Sequence, residues 1–154
     1  MTMPLEPFDR VCPEIGRAEV RLCDAPGLAS LGLPTEYFLR EFYCTESGCD
    51  CRRVLVQFMP NAQLPQVAAA INYGWEKAKF YKKWSRDPEL WREMAGATLE
   101  PFAEQGPHAD KFLLIFQELA KDHALVAVFR RHYQLVKKAT DVPPPPRGKP
   151  DYSP

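Results

Sequence analysis

The chain has 154 residues, 45% hydrophobic and 26% charged, which is ordinary for a globular protein long enough to build a core without disulfide staples. Twenty basic side chains balance twenty acidic ones, so the whole-chain charge exerts no pull toward nucleic-acid phosphates or anionic lipid. No run approaches the roughly 18 apolar residues of a membrane span, and the first residues show no basic region followed by an apolar one, so a cytoplasmic, reducing location without membrane contact is expected.

Residues 1–34 carry Pro4, Pro7, Pro13, Gly16, Pro26, Gly27, Gly32 and Pro34. Proline removes a backbone donor and glycine costs backbone entropy, so the sequence predicts an irregular arm packed on the domain, with at most a short strand or turn near Ala18 to Leu22. Residues 35–44, TEYFLREFYC, alternate large side chains in a pattern suited to a strand with both faces used. Ser47, Gly48 and Asp50 mark a turn, and the β-branched run Arg53 to Met59 reads as the returning strand of an antiparallel hairpin. Pro60, Asn61 and Pro65 mark another turn. Val67 to Tyr73 reads as a third strand despite its alanines, because it is short and bounded by Pro65 and Gly74.

After Gly74 the pattern becomes helical. Phe80 and Trp84 lie four apart, and Asp87-Pro88-Glu89 is a helix start with Asp at the N-cap and Pro at N1. That helix is expected to run to about Ala95. Asp110 opens a third helix with Phe112, Ile115, Phe116 and Leu119 on one stripe. A fourth passes through Leu125, Val128, Phe129, His132 and Val136, either capped by Asp122 or continuous with the third and bent near His123. Strands followed by helices give an α+β class: a short three-stranded antiparallel meander over 35–74, then three or four packed helices. The expected division is an arm (1–34), one α+β domain with the cysteines (35–141) and a proline-rich tail (142–154). Four consecutive prolines favour an extended, disordered tail or a ligand for a proline-binding domain.

Cys44, Cys49 and Cys51 place three thiols within eight residues across the hairpin connection, spaced C-x4-C-x-C. Strand ends in a hairpin lie about 5 Å apart, so the three sulfurs approach one point. In a reducing compartment such clusters read as metal ligands before disulfides, and zinc (Zn2+) is the expected ion. Structural free thiols and a redox or nucleophilic cysteine are the competing readings, and an iron–sulfur cluster would need Cys12 or Cys23 to join. The fourth zinc position is open. His132 is the first choice, with Cys12, Cys23, Glu46 and Asp50 as alternatives.

Arg52 and Arg53 follow the cluster and point to opposite faces of a strand, one placed to offset thiolate charge and the other to reach an anion. Lys79, Lys82 and Lys83 are interleaved with Phe80 and Trp84, a combination that binds single-stranded nucleic acid when it is not simply the solvated face of a helix. No phosphate-binding glycine loop, zinc-protease helix or nucleophile elbow is present in the sequence. The expected function is a small zinc-stabilised interaction or regulatory module with a protein partner, more readily than an enzyme. The alternatives are a metal-dependent hydrolase with an open thiolate site and a nucleic-acid-binding protein.

The motif Tyr43-Cys44-x4-Cys49-Asp50-Cys51-Arg52-Arg53, within Tyr37 to Val54 and together with Tyr73-Gly74-Trp75-Glu76, resembles a set of uncharacterised bacterial proteins. The resemblance covers residues 35–85 and extends to Arg131-His132-Tyr133. It implies that Cys44, Cys49, Cys51 and His132 belong to one site, and it implies no activity.

Overall fold

A computed structural model describes residues 4–62 and 66–140; Pro65 and the proline-rich tail lie outside them. The central strands are β3 (Glu36–Cys44), β4 (Arg53–Pro60) and β5 (Ala69–Gly74). They pair antiparallel in the expected order, with Glu41 opposite Val56 and Val56 opposite Ile71. The sheet is nevertheless six-stranded and not a three-stranded meander. Beyond β5 lies β6 (Gly96–Leu99). On the other side, β1 (Leu5–Pro7) and β2 (Arg21–Asp24) both pair with β3, β1 near its end and β2 near its start.

The N-terminal segment is therefore part of the sheet. Its prolines exclude long elements but suit short ones. Pro7 closes β1 at an edge, where a missing donor breaks no inner ladder. Pro13 and Pro26 open α2 (Pro13–Ala18) and a 3-10 helix (Pro26–Leu31), positions where the proline N–H would be unpaired in any case. Between β1 and α2, α1 (Phe8–Val11) buries Phe8, and its Asp9 binds Arg40 of β3 at 3.1 Å.

Tyr37, Leu39, Glu41 and Tyr43 alternate on the inner face of β3, opposite Val54, Val56 and Phe58 of β4. Two helices cover that face: α4 (Ala109–Leu119) and α5 (His123–Thr140). Phe112 meets Tyr37 edge-on and Phe58 at a tilt, Phe116 meets Tyr73 edge-on, and Tyr133 meets Tyr43 and Trp75 edge-on. The third and fourth helices are separate: the Asp122 carboxylate accepts a hydrogen bond from Ala124 N–H at 2.9 Å and starts α5. The α3 helix (Pro88–Met94) has the expected cap, Asp87 accepting from Glu89 N–H.

The segment expected as a helix from Trp75 is instead a 3-10 turn, Ala78–Trp84. Its Tyr81 is drawn fully into the fold, and the Tyr81 hydroxyl donates to the Arg52 carbonyl at 3.0 Å. Among the described residues no helix is long and apolar enough to cross a membrane.

Candidate metal centre

The connection from β3 to β4 holds the cysteines. Cys44 is the last residue of β3, and its neighbour Thr45 is tied to the Pro4 carbonyl by its N–H at 2.9 Å. Gly48 takes a positive φ of 76°, and Cys49 N–H closes the turn onto the Glu46 carbonyl. Arg52 also takes a positive φ, 48°, a region that costs a side-chain-bearing residue free energy. That kink between Cys51 and β4 is held by three sets of contacts. The Arg52 carbonyl receives Tyr81, its guanidinium meets Asp50 at 2.9 Å and Glu76 at 3.5 Å, and it lies over the Phe80 ring.

From the other side α5 braces the loop. Lys137, only 8% exposed, donates to the Glu46 carbonyl at 3.2 Å, and the Tyr133 hydroxyl lies 3.3 Å from Asp50. Tyr133 and Lys137 are one helical turn apart and so share the face turned to the loop.

The result is a compact set of sulfurs. The three Sγ atoms all lie within 4.8 Å of one another and none is in a disulfide. Tetrahedral zinc–thiolate geometry, with bonds of about 2.3 Å, puts bound sulfurs about 3.8 Å apart, so the set needs a closure of only about 1 Å. Cys44 and Cys51 are buried and Cys49 is half-buried. Burial, with the neighbouring Cys49 and Cys44, pushes the Cys51 thiol up to about 12, while Lys137 pulls it back. Burial and a hydrogen bond with Cys44 raise Cys49 as well. Cys49 and Cys51 resist ionising singly, and a shared divalent cation would stabilise the set as thiolates, which are soft donors.

His132 is held elsewhere. Its Nδ1 lies 2.8 Å from Glu41 Oε1 on the inner face of the sheet, and its ring stacks on Phe8 with centroids 3.9 Å apart. Tyr43 donates to the same Glu41 oxygen. His132 sits one residue before Tyr133, about 100° around the helix, which turns it toward Glu41 and Phe8 instead of the loop. Cys12 and Cys23 likewise lie outside the cluster: Cys12 stands between α1 and α2, and Cys23 is buried on β2. Glu46 and Asp50 are in the loop, but Asp50 is engaged by Arg52, which lowers its carboxyl below the usual range. Among the described residues no fourth histidine, cysteine or carboxylate joins the three sulfurs.

The expected nucleic-acid residues form a different patch. Lys83 lies over both the Phe80 and Trp84 rings at 4.2 and 4.4 Å, and Lys82 lies over Trp91. These ring faces are occupied by ammonium groups of the chain itself. Lys79 is in the same 3-10 turn.

Lys137 is a neighbour of the thiols that the sequence did not single out. In sequence it is one of several basic residues at the end of a helix, and only the fold brings it to the thiols. A divalent cation on three thiolates would carry net charge −1, and Lys137 is placed to offset it. Lys137→Met, which keeps the packed stem and removes the charge, is expected to weaken binding of a divalent metal ion by about tenfold, the size of typical losses at groups behind a metal site. Competition against a chromophoric chelator reads this directly.

No protein-family model, no curated protein and no solved structure matches the chain.

Proposed function

We propose that the chain is a zinc-binding interaction module in which Cys44, Cys49 and Cys51 hold the ion and clamp the β3–β4 loop. The observation that carries this reading is the approach of three sulfurs within 4.8 Å in a loop braced by Tyr81, Tyr133 and Lys137. Bound to the native state alone, zinc stabilises the fold by linkage, and its removal opens the loop. The role is then to present that loop and the adjoining sheet edge to a partner protein in the cytoplasm. Elemental analysis is expected to give one zinc per chain, and chelation to lower the melting temperature in step with its loss. A metal-free preparation whose melting ignores added zinc and chelator removes the reading.

A second reading, a metal-dependent hydrolase, has one observation in its favour: three protein ligands leave a fourth position, and Cys44 and Cys51 both line a cavity of about 450 Å³. Cobalt in place of zinc separates the two. A spectrum that shifts with added small anions marks an open, reactive position, whereas an unresponsive spectrum marks a closed structural one.

The thiols also set a pH dependence. Without metal, Cys51 in the folded chain titrates near 12 against an ordinary 9.0, so its contribution to stability is full below about pH 9 and is lost as pH rises toward 12. With zinc bound the thiolates are already formed, and that alkaline loss disappears. Melting temperature against pH, with and without zinc, is expected to show two curves that diverge above pH 9.

A further inference from the structure

The outer face of the sheet holds a half-buried arginine that the zinc site does not use. Arg53 opens β4 and alternates with the inward Val54, so it faces outward. Arg52 is fully paired, with Asp50 and Glu76. Arg53 forms no ion pair among the described residues, and its Nε is shielded from solvent with no hydrogen-bond partner. A shielded N–H without an acceptor is costly to maintain, and this Nε calls for a partner.

Two cavities meet at this side chain. One, of about 450 Å³, has Arg53, Asn72 and Glu100 among apolar walls that include Leu5, Leu55 and Phe102. The other, of about 520 Å³, shares Arg53 and Asn72. Both volumes fall in the range of small-molecule sites, about 300–1,000 Å³. Phe102 at the lip is 94% exposed, a large apolar side chain with little packing of its own. Glu100 is an acid in the lining of the first cavity, but its carboxylate is taken by the Asn72 amide and by Phe102 N–H.

We propose that the first cavity binds a small organic carboxylate with an apolar body, its carboxylate on Arg53 and its body against Leu5, Leu55 and Phe102. Guanidinium–carboxylate pairing is bidentate and strong where water is excluded. A single negative charge fits the site better than a phosphate dianion, because Glu100 and the thiol cluster already border it. Zinc held by three thiolates leaves net charge −1 on the Lys137 side, and three protonated thiols leave none. Arg53 therefore stays available with or without metal, and the proposal stands apart from the zinc reading.

The test is calorimetric titration of the full-length chain, as purified and kept reduced, with hexanoate, hexanol and inorganic phosphate. Saturable hexanoate binding is expected, with hexanol and phosphate each weaker by about tenfold or more, the worth of a buried charge-assisted pair. Arg53→Met is expected to lower hexanoate affinity by at least about tenfold. Should that variant not fold, Phe102→Glu decides, since its position is exposed and the new charge repels the ligand at the lip; about tenfold weaker binding is again expected. The proposal is overturned by no hexanoate binding up to about 10 mM, by hexanol binding as well as hexanoate, or by affinity unchanged in the decisive variant.

Discussion

Replacing Cys51 with alanine is expected to weaken zinc binding by roughly a hundredfold or more, because one of three thiolates carries a large share of the binding free energy of a structural zinc site. Cys23→Ala is the matched control. Both side chains are buried, at 2% and 6% exposed, so both variants lose a similar small volume from the core. Their effects on the metal-free protein should therefore be alike, and only Cys51→Ala should lose the stabilisation that zinc adds. Zinc affinity by chelator competition, together with melting temperature with and without metal, checks both halves. Equal zinc affinity in the two variants removes Cys51 from the site.

The second large effect is expected at Gly74. A Cβ there would lie 2.1 Å from the Met94 carbonyl oxygen and 2.5 Å from the Tyr81 hydroxyl, closer than atoms approach. Met94 belongs to the end of α3 and Tyr81 to the strap that holds Arg52, so neither gives way without cost. Gly74→Ala is expected to destabilise the chain by about 3 kcal/mol, the upper end of what overpacking costs. For a chain of this length that lowers the melting temperature by about 6–12 °C. Displacing Tyr81 also frees the kink at Arg52, so zinc affinity should fall in the same variant. Gly27→Ala, where the added atom meets nothing within 4 Å, is the control and should be close to neutral. Wild-type melting in Gly74→Ala would show that the Tyr81 strap does not hold the loop.

The middle of the fold was legible because its signals are local. Alternation marks β3 and β4, Val54 and Val56 add β-branched residues to β4, and Asp87-Pro88-Glu89 starts α3. The clustered cysteines were legible for the same reason, since a hairpin joins their positions whatever surrounds it. What was not legible depends on tertiary pairing. Strands β1, β2 and β6 have three or four residues each, too few for a periodic signal, and they exist because β3 and β5 offer edges to pair with. The expected helix after Trp75 became a 3-10 turn once Tyr81 was pulled inward to reach Arg52. His132 had the right chemistry for a ligand, but helix phase gives it Glu41 and Phe8 as neighbours and gives the loop Tyr133 and Lys137. No pattern in the sequence encodes that difference of one residue.

Zinc K-edge X-ray absorption on the zinc-loaded chain tests the metal centre most directly. The expected spectrum has about three sulfur neighbours at about 2.3 Å and one lighter atom. A first shell made only of nitrogen and oxygen, near 2.0–2.1 Å, would contradict the assignment of Cys44, Cys49 and Cys51 as ligands.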